Sequence, residues 1–251
     1  MAYTSYPDRL KKTVEILQNY QDKIKAYYEN ITFKPYKIDI KNCLKKQEIE
    51  DTVRLLDLSF TTRQGGQNKT ALAEYPNSQK RMKIKSIFNN LYNTNKNPKE
   101  KYYSSLRILM GINGIGQKIA TMFLKFLVRY GDDSKHKKEL EKELFIPLDI
   151  HVLRLMFTEI DKKRPNRLSL YKNKINQASL GYSFPKTKAI GDTKLFKIQK
   201  MIQDDFKELG IDESPIILDE LWYIGTIYCR YKELEIGCKI CPLEKICNKG
   251  K

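Results

Sequence analysis

The chain has no run of apolar residues long enough to span a bilayer, which excludes a transmembrane helix as its organising element. Its first residues, Met1-Ala2-Tyr3-Thr4-Ser5, lack the apolar core of a signal peptide. The expected location is therefore the cytosol, on nucleoid DNA, or the nucleus if the source is eukaryotic. Strand-like alternation is scarce and no internal repeat is visible, so an all-α protein is expected. Acidic residues are in deficit, 30 against 47 basic, and the formal net charge is +17 at pH 7. A charge that large favours a polyanionic partner, through release of counterions from phosphates. A Lys-rich soluble surface would give the same composition, so charge alone does not decide for nucleic acid. Five cysteines in a reducing compartment argue against a disulfide framework.

The 251 residues, 41% of them hydrophobic, suffice for one large domain or two small ones with a core. Apolar spacing predicts helices over 10–28, 48–60, 78–92, 102–110, 117–130, 135–144, 195–209 and 217–228, with a short one over 70–75 ended by Pro76. The helix over 135–144 is charged and reads as solvated. Pro147 opens a further helix carrying Val152, Leu153 and Met156. Residues 161–200 form a basic insert, with eleven Lys or Arg against Asp161 and Asp192. Its Pro165, Gly181, Pro185 and Gly191 predict much loop. Cys43 stands apart from the other cysteines and reads as a plain buried thiol.

Two of these helices are joined by Ile112-Asn113-Gly114-Ile115-Gly116-Gln117-Lys118. Gly114 and Gly116 allow a turn with positive φ. Backbone N–H groups there, and at the start of the next helix, can point at a phosphate oxygen. Asn113, Gly114, Ile115, Gly116 and Gln117 are thus candidate DNA-backbone contacts. Ala120 allows the two helices to pack closely. Lys118 is open to two roles, a surface charge or a nucleophilic amine. Its place in the first turn, at the positive end of the macrodipole, disfavours a second positive charge.

Asp149 lies in Ile146-Pro147-Leu148-Asp149-Ile150-His151-Val152. As a helix N-cap it has a structural role. As a carboxylate it could stabilise a sugar cation when a base departs, because that transition state is oxocarbenium-like. His151 reads as a hydrogen-bonding residue rather than a catalyst. Trp222, the only tryptophan, is open to stacking on an extruded base or to filling the core.

The four remaining cysteines, Cys229, Cys238, Cys241 and Cys247, have the spacing C-x8-C-x2-C-x5-C. Four closely spaced thiols point to metal. With one C-x2-C pair and no following histidine, a [4Fe–4S] cluster is favoured over zinc. Arg230 and Lys232, between the first two cysteines, are candidate phosphate contacts, opposed by Glu233 and Glu235 in the same stretch.

Together these motifs resemble the helix–hairpin–helix DNA glycosylase superfamily, of which endonuclease III is the best-known type. The glycine turn with its lysine, the Pro-x-Asp-x-His-Val segment and the terminal cysteines stand in the family's order, from about residue 48 to the C-terminus. The resemblance implies two helical domains flanking a DNA-binding cleft. One is a six-helix barrel carrying the hairpin, over 46–132. The other is discontinuous, built from 1–45 and 133–251, with the iron–sulfur loop at its C-terminal end. It also implies that Lys118 is the Schiff-base nucleophile and Asp149 the catalytic carboxylate of a bifunctional glycosylase and AP lyase. The partner implied is double-stranded DNA with a damaged base or abasic site, bound by a monomer.

The chain departs from the endonuclease III pattern in several places. Asn113 stands where proline often precedes the first hairpin glycine. The first cysteine gap and the Lys118-to-Asp149 interval are long. Thr62-Arg63-Gln64-Gly65-Gly66, Ile146-Pro147-Leu148-Asp149 and Leu218-Asp219-Glu220-Leu221-Trp222 resemble instead an archaeal 8-oxoguanine glycosylase branch, which the cysteine cluster does not match. The expected substrate is an oxidised base, either 8-oxoguanine or an oxidised pyrimidine. A monofunctional glycosylase, or a DNA-binding or redox-sensing protein without catalysis, is the alternative.

Overall fold

A computed structural model describes residues 6–61, 75–131, 137–147, 194–229 and 234–246. Every regular element among them is helical, and none is a strand. The short helix expected over 70–75, the one opened by Pro147, Asp149 itself, and 161–193 of the basic insert lie outside the described residues. No helix among the described residues is long and apolar enough to cross a membrane.

The elements run in this order. Helices α1 (Tyr6–Asn19) and α2 (Gln21–Tyr27) lead into a π-helical turn, Tyr28–Phe33, and a 3-10 turn, Lys34–Tyr36. Then come α3 (Ile40–Lys45), α4 (Ile49–Thr61), α5 (Asn77–Leu91), α6 (Pro98–Met110), α7 (Gln117–Arg129) and α8 (Lys137–Glu143). The chain continues through α9 (Lys194–Glu208), a 3-10 turn Pro215–Glu220, α10 (Leu221–Tyr228) and α11 (Leu234–Lys239). The chain forms two compact units. The described part of one comprises 6–24, 200–229 and 234–246. The described part of the other comprises 25–61, 75–131, 137–147 and 194–199.

Several boundaries differ from the sequence expectation, each for a local reason. The helix expected over 10–28 divides at Tyr20, whose N–H is shared between the Ile16 and Leu17 carbonyls (both 3.2 Å). Helix α3 is not expected from the sequence, because six residues hold too few turns for a visible period. Asp39 caps it by accepting the Asn42 N–H (3.3 Å), and Ile40, Cys43 and Leu44 bury its inner face. Helix α6 begins four residues earlier than expected. Asn97 accepts the Glu100 N–H (2.9 Å) while Glu100 accepts the Asn97 N–H (3.1 Å), a capping box that Pro98 extends. The charged helix α8 is not wholly solvated: Leu140 and the following Leu144 are buried. Residues 215–220 are 3-10, and α11 occupies part of the stretch between Cys229 and Cys238 that reads as loop.

In the larger unit α7 is the central helix, buried at every position from Ile119 to Val128. It packs against α3, α4, α6 and α8. Near its C-terminal end Tyr28, Phe33, Phe126 and Tyr130 form one aromatic cluster, with edge-to-face pairs at 5.4 Å for Tyr28–Phe126 and Phe33–Phe126. Lys125 is fully buried, and its ammonium stands over the Tyr28 ring at 4.9 Å. This cation–π contact offsets part of its desolvation. Outside this core, ion pairs join α5 to α4: Lys80–Asp57 (2.8 Å) and Arg81–Glu50 (2.7 Å).

Gly131 follows the C-cap of α7, Tyr130, and a Cβ on it would lie 2.2 Å from the Leu127 carbonyl oxygen and 3.2 Å from Leu44 Cβ. Backbone must move to admit it. Gly131→Ala should therefore cost about 1–3 kcal/mol in urea melts. A melt superimposable on wild type would show that the turn relaxes freely.

Cys43 is buried, as expected. Burial pushes its thiol from an ordinary 9.0 up to about 12, against a lowering hydrogen bond from Thr52. The neutral thiol therefore contributes fully below about pH 9 and loses that contribution as pH rises toward 12. Thiol reagents at pH 8 should leave Cys43 unmodified in the native protein and modify it promptly in denaturant. Rapid native modification would contradict the burial.

In the smaller unit, α1 contributes Leu10, Val14 and Leu17 to a core closed by Ile202, Phe206 and the buried 3-10 residues Ile216, Ile217 and Leu218. Helix α1 packs on that 3-10 turn, which in turn packs on α10.

Candidate functional site

The glycine turn joins α6 to α7, and its geometry is specific. The Ile112 N–H donates to the Leu109 carbonyl (2.9 Å), and the Ile115 N–H to the Ile112 carbonyl (3.1 Å). Gly114 has φ +83°, which favours glycine strongly. Gly116 differs from the sequence expectation: it has φ −90° and ψ 175°, an ordinary extended conformation. It is the N-cap of α7, and the Ala120 N–H donates to its carbonyl (3.0 Å). Having no side chain, Gly116 provides no side-chain cap, so the first-turn amides of α7 face a position that an anion can occupy.

The side chains divide by exposure. Ile112 and Ile115 are buried and anchor the turn, while Asn113 is exposed at its tip. Ile115 therefore offers neither a free amide nor an accessible side chain. Gln117 is also buried, and among the described residues neither polar atom of its carboxamide has a hydrogen-bond partner. Lys118 is the second residue of α7 and half-buried, with its carbonyl accepting from the Thr121 hydroxyl (3.0 Å). Lys83 on α5 adds positive charge nearby: a Cβ built on Gly111 would lie 4.0 Å from its Nζ. Ala120 is fully buried, consistent with close packing of α6 on α7.

Cys229, Cys238, Cys241 and Trp222 belong to the smaller unit. Trp222 is half-buried on α10. Cys229 terminates that helix, with its N–H donating to the Gly225 carbonyl (3.0 Å). Cys238 lies on α11, and the Cys241 N–H donates to the Cys238 carbonyl (3.2 Å), forming a tight C-x2-C turn. The Leu243 N–H donates to Cys241 Sγ (3.4 Å), a contact that favours a thiolate. Tyr228, beside Cys229, has its phenol pushed up to about 12, by burial first and then by Tyr20, Tyr223 and Cys241. Cys229, Cys238 and Cys241 are partly exposed, and no disulfide joins them to one another. Among the described residues, no group of three or more His, Cys, Asp or Glu side chains lies close enough together to hold a metal ion. Cys247, Arg230, Lys232 and Asp149 lie outside the described residues. Cys229, Cys238 and Cys241 are donors of the kind an iron–sulfur cluster takes, but among the described residues they are not gathered into a site.

No family model, curated protein or solved structure matches this chain.

Two residues that local sequence reasoning does not single out hold the chain just before Asp149. Phe145 and Ile146 are buried but not helical, so their backbone polar groups need partners from elsewhere. The Phe145 N–H donates to Tyr102 Oη (3.0 Å). The Ile146 N–H donates to Gln199 Oε1 (2.8 Å), and Gln199 Nε2 donates back to the Ile146 carbonyl (2.5 Å). No motif announces this contact, since Gln199 is 53 residues distant.

Proposed function

We propose that the protein is a base-excision DNA repair enzyme, a bifunctional glycosylase and AP lyase acting on oxidised bases in duplex DNA. The observation that carries this reading is the turn at Gly114: it delivers Lys118, half-buried, in the first turn of an uncapped helix N-terminus. That arrangement suits a helix–hairpin–helix motif, with the first-turn amides of α7 taking a backbone phosphate. The net charge of +17 would draw in the duplex.

In this reading the damaged nucleotide leaves the stack to expose C1′. The Lys118 amine attacks C1′ and the base departs with the bonding electron pair, taking up a proton. Asp149 stabilises the cationic sugar as that bond breaks. The amine then loses its protons as the C1′–O4′ bond opens and O4′ takes one up, giving an iminium that acidifies the C2′ proton, whose loss expels the 3′ phosphate and nicks the strand. Trp222 would stack on the extruded base, and Arg230 and Lys232 would contact phosphates. Cys229, Cys238, Cys241 and Cys247 would hold a [4Fe–4S] cluster that orders the C-terminal segment rather than taking part in the chemistry.

Borohydride trapping on duplexes carrying an abasic site, 8-oxoguanine, thymine glycol or uracil tests the reading. A lesion-dependent covalent adduct with nicking is expected. Bound DNA with no adduct on any duplex would refute the lysine mechanism and leave a monofunctional enzyme or a binding protein.

A further inference from the structure

The excess of basic residues is not spread evenly along the chain. From Tyr75 to Gly131 there are eleven Lys or Arg and a single acid, Glu100, which is used in the capping box of α6. This stretch covers α5, α6, the glycine turn and α7, all in the larger unit. Some of its cations are already committed. Lys80 and Arg81 pair with Asp57 and Glu50 on α4, and Lys125 is buried over the Tyr28 ring. Lys83 on α5 and Arg107 on α6 are different: among the described residues neither has an ion-pair partner. Lys83 is half-buried and Arg107 is exposed.

Both are tied to Gly111, the exposed C-cap of α6 and the residue that precedes the glycine turn. A Cβ built on Gly111 would lie 4.0 Å from Lys83 Nζ. Arg107 is one helical turn earlier, and its carbonyl accepts the Gly111 N–H (3.0 Å), so Arg107 and Gly111 share a face of α6. The backbone does not require glycine there. Its φ is −74° and ψ −8°, and the nearest neighbour of an added Cβ would be the Ile108 carbonyl oxygen at 3.4 Å, an ordinary contact. What glycine leaves is open surface beside two cations, over which a phosphate can approach closely.

We propose that Lys83 and Arg107 form a second phosphate site on the larger unit, which takes the backbone of duplex DNA beside the glycine turn. The proposal rests on the reading of that turn as a duplex-binding hairpin, but not on the lysine chemistry. An extended polyanion suits the site better than an isolated anion. The site adjoins the turn whose following amides take one phosphate, and a strand supplies the next ones at fixed spacing. Such contacts set the protein's register on the strand and carry no base specificity. A lysine near the C-terminal end of α6 also interacts favourably with its last carbonyls, so the test must separate binding from stability.

The test measures binding of the full-length protein to a duplex carrying a tetrahydrofuran abasic analogue, by fluorescence anisotropy over a range of KCl concentrations. Wild type, Lys83→Gln, Arg107→Gln and the double variant are compared with Lys85→Gln. Lys85 is exposed and two residues from Lys83, so it lies on a different face of α5. Each single substitution in the site should lower the salt slope by about 0.9 and weaken binding about five- to tenfold at about 0.1 M salt. The double variant should lower the slope by about 1.8. Lys85→Gln should bind within about twofold of wild type. At saturating protein, the rate of borohydride trapping on an abasic duplex should match wild type in every variant, since the site holds DNA without reacting. Wild-type slopes in Lys83→Gln and Arg107→Gln would overturn the proposal, and if Lys83→Gln also melted earlier its role would be that of a helix-end contact. Equal losses in Lys85→Gln would overturn it too, leaving diffuse charge as the cause. A wild type with no affinity for duplex would instead overturn the parent reading, and this proposal with it.

Discussion

Lys118→Gln should abolish borohydride trapping and strand nicking, by about 10³-fold or more, while weakening duplex binding only a few-fold. Glutamine keeps the length and polarity of the side chain but has no amine to form an iminium. The substitution lies at the second residue of α7, where the backbone turn is set by Gly114, Ile112 and Ile115 rather than by the lysine. Fold and phosphate-facing amides should therefore survive. Lys99→Gln is the matching control: Lys99 is an exposed lysine on α6 whose ammonium lies 5.9 Å from the Tyr103 ring centre. It removes the same charge without touching the turn, and its trapping should equal wild type. If Lys118→Gln nicks and traps normally, the nucleophile is another group. If both variants lose activity together, charge rather than nucleophilicity is what the substitution removed.

Cys241→Ser should produce the second large effect. On the cluster reading, the purified wild-type protein is brown and carries about four irons per chain, and Cys241→Ser loses the colour and most of the iron. The smaller unit should lose several kcal/mol of stability with it, since ligand binding there is coupled to folding. Cys241 is the informative choice because its sulfur already accepts the Leu243 N–H. Cys43→Ser should leave colour and iron unchanged. Its thiol is buried and pushed up to about 12, so it is poorly suited to supply the thiolate that a cluster needs. A colourless wild type containing zinc would replace the cluster with a zinc site. A wild type without metal would remove the cofactor from the proposal and leave the lysine chemistry to stand on its own test.

Features encoded by short-range pattern are legible in the sequence. Apolar residues at helical spacing predict α4, α5 and α7 to within a few residues, because each has several turns over which the spacing repeats. Elements of one or two turns escape this reading. Helix α3 is set by the Asp39 cap and three buried side chains, and α11, six residues long, has too few turns for a visible period. The turn at 112–116 is visible because glycine is the residue that φ +83° at Gly114 favours. The different state of Gly116 is not visible, since an extended N-cap suits many residues.

By itself the sequence determined the helical class, the position of the glycine turn, the basic charge and the four spaced cysteines. All of these depend on residue type and on separations of a few positions. Only the tertiary structure decided which polar groups are buried and what satisfies them. Lys125 reads as one more surface lysine, yet it is fully buried over the ring of Tyr28, far earlier in the chain. Gly131 reads as a helix stop, yet part of its constraint comes from Leu44. Gln199 reads as a polar residue on an amphipathic helix, yet it bonds both backbone groups of Ile146. The reason is common to all three. Local pattern reports a chain's preference for a period, whereas the partner of a buried polar group is whatever distant element the packed core brings within about 3 Å of it.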